Sequence, residues 1–202
     1  ARKTFELLRD YGLFALLFPE TDAELDSDDA FLAFTRKALD NTDRRVASEK
    51  SVTPMFLLGV FLWAPIRKRA ETVRAREKMS EVQSLSLASY EIVGLQQGRI
   101  SIPRRFTTPM REMLAMQPRF DVRRGKRALR LLEHKRFRAA YDFMMLRSMA
   151  GEVEEDIARF WTDVQTQDAE QRRQSFELQR APESKKTRKR RRRRRKPRTE
   201  QS

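Results

Sequence analysis

The segment Met55–Trp63 is apolar on nearly every side when it is drawn as a helix. Thr53 and Pro54 precede it, in the order of an N-cap residue followed by proline at the first helical position. A helix without a polar face is stable in water only if other elements surround it, so we expect this one at the centre of the core. Pro65 is expected to bend or end it.

Apolar residues recur at helical spacing along most of the remaining chain. The only stretch with strand character, Ile100–Phe106, is short and contains a proline, so we expect an extended connector there. Gly12 and Gly151 stand where helices commonly stop. The sequence therefore predicts an all-α fold. Six helices are predicted with both ends: Arg2–Tyr11, Met55–Trp63, Ile66–Met79, Ser84–Gln97, Lys126–Leu132 and Phe137–Ala150. Another is capped by Ser27 or Asp28 and ends at Leu39, and one more begins at Thr108 and Pro109. A last helix has Val153, Ile157, Phe160, Trp161 and Val164 on its apolar face.

Positive charge is concentrated in two parts of the chain. The 202 residues carry a net charge of +15. Residues 99–151 hold fourteen Lys or Arg against four Asp or Glu, and residues 185–202 hold twelve against one, whereas the rest is nearly balanced or slightly acidic. A localised surplus of cations indicates a polyanionic partner, most often nucleic acid and less often an acidic membrane surface.

Nine cations within 35 residues are predicted to contact phosphate, because the planar guanidinium fork of arginine donates two parallel hydrogen bonds. Three of them, Arg123, Arg127 and Arg130, share one face if a helix continues through Gly125. The alternative is a solvated face of internal ion pairs, to which the acidic segment 152–168 could contribute. The nine are Arg104, Arg105, Arg123, Arg124, Lys126, Arg127, Arg130, Arg136 and Arg138.

The last part of the chain, KKTRKRRRRRRKPR from Lys185, is predicted to be a disordered basic tail, because like charges repel and no apolar residue is available to bury. Such runs also serve as localisation signals or solubility appendages. Residues 167–184 lose the apolar period and predict a fraying helix or a linker. Six tail residues join the predicted contacts with the polyanion: Arg190, Arg191, Arg192, Arg193, Arg194 and Arg195.

The sequence predicts no catalytic residue and no metal site in this chain. It has no cysteine, one histidine and no glycine-rich phosphate loop. Asp26, Asp28 and Asp29 precede a helix, where carboxylates cap free N–H groups, and the acidic run 152–156 is interpreted in the same way. His134 is expected to be a cap or a residue at the core edge.

The longest apolar run is too short to span a bilayer, and no signal peptide opens the sequence. We therefore expect a cytoplasmic protein with no membrane partner, and an oligomeric state that the sequence leaves open.

Several long motifs resemble bacterial poly(A) polymerases. PRRFTTPMREMLAMQPRF, RRGKRALRLLEHKRFRAAYDFMMLR, FWTDVQ and the arginine-rich tail are similar to the C-terminal half of that family. TFELLRDYGLFALLFPE resembles the end of its neck region, and NTDRRVASEKSVTPMFLLGVFLWAPI resembles the segment that follows. The resemblance covers essentially the whole chain.

The resemblance implies a nucleotidyltransferase of the superfamily shared with CCA-adding enzymes. Its catalytic head, with a Gly-Ser motif and paired metal-binding aspartates, would lie upstream of Ala1, so ATP and Mg²⁺ are expected for the intact enzyme and neither in this chain. The RNA-binding role of the helical body carries over loosely to the basic residues. The implied domains are the end of a neck (1–20), an arginine-rich helical domain (21–166), a linker (167–184) and the tail (185–202).

The expected function is therefore RNA binding, mainly of single-stranded 3′ ends, within an enzyme that adds AMP from ATP. The alternatives are a free-standing, non-catalytic nucleic-acid-binding protein derived from that half, and the matching part of a CCA-adding enzyme. The arginine tail favours poly(A) polymerase by resemblance. An anionic-membrane binder ranks last, because the apolar faces are needed for the core.

Overall fold

The computed structural model describes residues 1–178, and in it the apolar segment lies in one long helix, α5 (Pro54–Glu77). Val60, Leu62 and Ile66 of this helix are almost completely buried. Helices from both sides of the chain pack around it, namely α3 (Pro19–Ser27) and α7 (Arg104–Ala115), among others. The predicted central position of this segment is confirmed.

The described residues contain no strand, which confirms the all-α prediction. None of these helices is both long enough and apolar enough to cross a membrane. In chain order the remaining helices are α1 (Arg2–Asp10), α2 (Leu13–Leu17), α4 (Asp29–Ala47), α6 (Glu81–Gln97), α8 (Gly125–Leu132), α9 (Phe137–Met149), α10 (Glu155–Thr166) and α11 (Ala169–Leu178), with a 3₁₀ turn over Gln117–Arg119.

Pro65 does not end the central helix, contrary to one of the two outcomes expected for it. Proline has no N–H, so the carbonyl of Phe61 loses the donor that a helix normally supplies four residues later. The hydroxyl of Thr21 in α3, which is fully buried, donates to this carbonyl at 2.9 Å. The tertiary hydrogen bond replaces the missing helical one, and α5 continues to Glu77 through the segment predicted as a separate basic helix.

Several helix ends follow the capping rules. The Asp28 side chain accepts a hydrogen bond from the Phe31 N–H at 2.9 Å and caps α4, as predicted. Gly12 and Gly151 have φ angles of +66° and +79°, the left-handed conformation that glycine adopts after a helix. Asp26, interpreted as a capping residue, instead forms an ion pair with Arg9.

Other elements also differ from the predictions. Helix α7 begins at Arg104 rather than at Thr108, and Pro109 lies inside it. The short helices α2 and α3 were not predicted, because neither has a long apolar period. Of the two alternatives expected after residue 166, a fraying helix or a linker, residues 169–178 form a helix, α11, which unexpectedly contacts α8 and buries Phe176.

A polar cluster joins the central helix to the C-terminal helices. The Glu152 carboxylate accepts from the Trp63 indole N–H at 2.9 Å and from the Arg147 guanidinium at 3.0 Å. It also forms an ion pair with Arg67 of α5 at 3.0 Å. The Arg147 guanidinium lies over the Trp63 ring, 4.7 Å from its centre, and donates to the buried Gln117 at 3.3 Å. We call these five residues the Glu152 cluster.

Burial lowers the pKa of Arg147 below its ordinary value, and the neighbouring Glu152 carboxylate acts in the opposite direction. Both side chains are mostly shielded from water, with exposed fractions of 16% and 14%. Two charges that lose water in this way need each other, because either one alone would be buried without a counter-charge. The acidic run 152–156 therefore contains a buried anchor that the capping interpretation did not foresee.

The role of the Thr21 hydroxyl can be tested in a double-mutant cycle. Thr21→Val is expected to lower the free energy of unfolding by about 1–3 kcal/mol, because the Phe61 carbonyl would be buried without a donor. In a Pro65→Ala background the alanine N–H can reach that carbonyl, so the same change should cost roughly 1 kcal/mol or less. Urea unfolding of the four proteins measures both values, and equal costs would contradict this role.

The Glu152 cluster makes a second prediction. Glu152→Gln is expected to lower the free energy of unfolding by roughly 2–4 kcal/mol, because the Arg147 charge stays buried without its counter-charge. The control is Glu155→Gln, which removes the same charge from an exposed pair with Arg159 and should change stability by about 0.5 kcal/mol or less. Comparable losses for the two variants would show that the cluster is not a buried anchor.

Candidate nucleic-acid interface

Three consecutive helices begin with basic residues. Helix α7 opens with Arg104 and Arg105, α8 has Arg124 as its N-cap residue, and α9 has Arg136 in that position. None of the three has an acidic residue in its first turn. The N-terminal end of a helix carries partial positive charge, so cations there oppose the helix dipole. Helix stability therefore does not explain this placement.

The start of α7 presents its two arginines to solvent. Arg104 and Arg105 are exposed, and within residues 1–178 no carboxylate lies within 4.0 Å of either guanidinium. Arg105 lies over the half-buried ring of Phe106, 5.0 Å from its centre. No hydrogen bond or ion pair in the described part of the chain links these two arginines to the other predicted contacts.

Helix α8 has one basic face and one apolar face. Lys126, Arg127 and Arg130 are exposed, while Ala128 and Leu131 are buried on the opposite side. Like the N-cap Arg124, these three cations have no carboxylate within 4.0 Å among the described residues. The basic face of α8 thus carries charges that no neighbouring acid neutralises.

Arg123 does not belong to that face. Helix α8 begins at Gly125, whose φ of +68° breaks the regular backbone before the helix, so the condition for aligning Arg123 with Arg127 and Arg130 is not met. Its guanidinium donates to the Asp156 carboxylate of α10 at 2.7 Å. This hydrogen bond, with the Arg123 charge, holds the pKa of Asp156 below its usual range. The acidic helix therefore neutralises one of the nine predicted cations.

Arg136 and Arg138 also have carboxylate partners. Arg136 donates to Glu112 of α7 at 3.2 Å, and Arg138 pairs with Asp142 one turn further along α9 at 3.1 Å. His134 accepts from the Arg136 N–H at 3.1 Å and so fixes the turn between α8 and α9. This contact is consistent with its interpretation as a capping residue.

The start of α9 forms one wall of a cleft of about 590 Å³. The other wall is the end of α4 with the loop that leads to α5. Six cationic side chains line this cleft against one carboxylate, Asp142. The six are Arg44, Arg45, Lys50, Lys135, Arg136 and Arg138. We call it the basic cleft.

Four of the six were missed in the sequence. Arg44, Arg45 and Lys50 belong to residues 1–98, whose acids and bases nearly cancel, so the charge count gave no signal there. Lys135 lies within the basic segment but was not singled out. A count over the short stretch 44–53, with three cations against one glutamate, would have found the first three.

The predicted interface therefore divides into three groups: the start of α7, the basic face of α8, and the wall of the basic cleft. Within residues 1–178, no group of three or more His, Asp or Glu side chains is arranged to hold a metal ion. The predicted contacts Arg190, Arg191, Arg192, Arg193, Arg194 and Arg195 lie outside the described residues.

The family model described as "Polymerase A arginine-rich C-terminus" matches residues 77–197, which is more than half of the chain. The chain belongs to the poly(A) polymerase family. The matched residues of this poly(A) polymerase region include the start of α7, all of α8 and α9, and the tail as far as residue 197. The resemblance found in the sequence motifs is confirmed.

Curated relatives agree with this assignment. Poly(A) polymerase I of Haemophilus influenzae is 33% identical over 180 residues, which cover 88% of this chain and 40% of that protein. Poly(A) polymerase I of Salmonella typhi is 32% identical over 167 residues, and that of Escherichia coli O157:H7 is 32% identical over 170 residues. Each of these two alignments covers 81% of this chain and 36% of the relative. The chain thus spans about two fifths or less of the length of these relatives.

Proposed function

We propose that this chain is the RNA-binding C-terminal portion of a poly(A) polymerase, and that the whole enzyme adds AMP from ATP to RNA 3′ ends in the cytoplasm, in mRNA processing. The catalytic head, with its Mg²⁺ and ATP, is expected upstream of this chain. The C-terminal portion would hold the RNA substrate near its 3′ end.

The observation that carries this proposal is the set of exposed cations without an acidic partner. Six of the nine predicted contacts have no carboxylate within 4.0 Å among the described residues. Five of the six lie at the start of a helix, where they oppose its dipole. A face of internal ion pairs would have shown the opposite arrangement. Phosphate provides the missing counter-charge, and binding by backbone charge suits an enzyme that acts on many transcripts.

A free-standing, non-catalytic RNA-binding protein uses the same surface, so the surface does not separate the two functions. The coding frame upstream of Ala1 separates the two functions. A Gly-Ser motif followed by paired aspartates is expected there, and a frame without them would remove the enzymatic half of the proposal while leaving RNA binding in place. A CCA-adding enzyme would be distinguished by the RNA sequence that the whole protein adds.

The basic face of α8 can be tested by neutralising Lys126, Arg127 and Arg130 together as Gln. Because single strands release about 0.7 counterion per phosphate contact, the slope of log affinity for oligoadenylate against log salt should become shallower by about 2. The variant should remain folded, since two of the removed charges oppose the helix dipole. Fluorescence anisotropy at several salt concentrations measures the slope, and thermal unfolding checks the fold.

The matched control for that variant neutralises three exposed cations elsewhere, Lys3, Lys37 and Arg76, none of which has an ion-pair partner among the described residues. A third variant changes Arg190–Arg195 to Gln and measures the contribution of the tail. Binding that depends on the tail alone, with the α8 and control variants indistinguishable, would contradict the assignment of RNA contact to the folded helices.

Asp156 provides a test in the opposite direction. Asp156→Asn should free Arg123 for phosphate and remove a repelling charge, so oligoadenylate affinity is expected to rise about threefold at low salt and the salt slope to steepen by about 0.7. Glu155→Gln is the control, because it removes one negative charge from the adjacent residue, which forms an exposed ion pair with Arg159. An equal gain for both variants would show that only the net charge matters and that Arg123 has no contact of its own.

A further inference from the structure

The basic cleft combines charge with an apolar floor. Its walls come from two parts of the chain that are far apart in sequence, residues 41–53 and 135–149. The apolar lining that we call the floor is Phe56 of α5 with Met145 and Met149 of α9; Phe56 and Met145 are half-buried, and Met149 is 59% exposed. Exposed methionine beside arginine and lysine is not the surface of an internal ion-pair network, and it offers apolar contact between two rows of cations.

One wall is held in place by its own backbone. Helix α4 ends in a Schellman turn, with Glu49 in the left-handed region at φ +57° and the Lys50 N–H donating to the Arg45 carbonyl at 2.9 Å. The Arg45 guanidinium then donates to the Ser51 carbonyl at 3.0 and 3.3 Å. Arg45 therefore positions the loop that carries Lys50 on the cleft wall.

The other five cations of the cleft differ in whether a carboxylate neutralises them. Arg136 and Arg138 are paired with Glu112 and Asp142. For Lys50 and Lys135, both exposed, and for Arg44, no carboxylate lies within 4.0 Å in residues 1–178. These three side chains come from both walls, so a single anion chain in the cleft can contact all of them.

We propose that the basic cleft is a subsite for single-stranded polynucleotide, with phosphates held by Arg44, Lys50 and Lys135 and bases lying on the floor of Phe56, Met145 and Met149. This inference rests on the proposed RNA-binding function. It adds that the RNA binds in the basic cleft and that it is single-stranded there. It assigns contact to residues 41–53, which lie outside the arginine-rich segment matched by the family model.

The strand state follows from the shape and chemistry of the cleft. A duplex keeps its bases stacked inside and presents only phosphate and groove edges, so an apolar floor would meet nothing apolar. A single strand has free bases that stack on or contact apolar side chains while its phosphates follow a basic groove. A membrane surface is flat and would not reach cations that line a concave site.

The experiment is a lysine footprint on the whole 202-residue chain. Acetylation with a water-soluble reagent at limiting dose is followed by mass spectrometry, with and without oligoadenylate of about 12 nucleotides, a length within the usual range for one binding site. Lys50 and Lys135 are expected to be protected about threefold or more, if each ammonium contacts a phosphate. Lys3 and Lys78, exposed elsewhere, are the internal controls and should show no change.

Oxidation of methionine by dilute peroxide reports on the floor in the same samples. Met149 should be oxidised more slowly when oligoadenylate is bound, because a base covers it, whereas Met79, which lies outside the cleft, should not change. A duplex of the same length should protect Lys50 and Lys135 less and leave Met149 unprotected. Protection of Met149 by the duplex to the same degree would overturn the single-strand assignment.

A double variant completes the test. Lys50→Gln with Lys135→Gln should reduce the salt slope for oligoadenylate by about 1.4, or two phosphate contacts. Lys3→Gln with Arg76→Gln removes the same charge away from the cleft and should leave the slope almost unchanged.

The outcomes separate this inference from the proposed function. If oligoadenylate binds but neither lysine is protected, the cleft is not a subsite and RNA binding stands on α7, α8 or the tail. If no oligoadenylate binding is measured at low salt, both proposals fail. If AMP at the same nucleotide concentration protects both lysines equally, the occupant is a mononucleotide and the polynucleotide assignment is overturned.

Discussion

The Glu152 cluster is the contact on which the arrangement of the C-terminal helices depends. Arg147 and Glu152 are joined twice, because the Glu152 N–H donates to the Arg147 carbonyl at 2.9 Å and the two side chains pair at 3.0 Å. The left-handed Gly151 between them makes both contacts possible. Through Trp63 and Arg67 the carboxylate fixes the end of α9 against the central helix. The same helix supplies one wall of the basic cleft, so a buried charge pair near the end of that helix helps to set the position of the wall.

Charge placement on α7 and α8 works against folding and in favour of binding. A helix that begins with cations loses the stabilisation that an acidic first turn would provide, and the apolar faces must make up the difference. Helix α8 is short, yet Ala128 and Leu131 are buried and α11 packs against it. A bound anion at these helix starts would offset the repulsion between the cations and the helix dipole. RNA binding is therefore expected to stabilise α7 and α8.

Local signals in the sequence were sufficient for much of the fold. The all-round apolar segment indicated the central helix, and Gly12, Asp28 and Gly151 stand at helix ends as expected. Two of the errors came from contacts between distant residues. Pro65 is tolerated inside α5 because Thr21, far away in the chain, donates to the Phe61 carbonyl, and no window around Pro65 contains that information. For the same reason Glu152 looked like one of several capping acids rather than the partner of Trp63 and Arg67.

The candidate interface shows the same limit in terms of charge. A charge count along the sequence detects only cations that are close together in the chain. It therefore found the cations of α7 and α8. It missed those at the end of α4, because acidic residues cancel their charge in the count over the first 98 residues. Folding brings Arg44 and Lys50 to the wall opposite Lys135. The two cleft arginines that already have partners need not lose much on exchange, because half-exposed ion pairs are worth only about 0–1 kcal/mol and a phosphate can replace the carboxylate. The cleft can therefore be compact without RNA and still offer Arg136 and Arg138, besides its three cations without a carboxylate partner, to a strand that enters it.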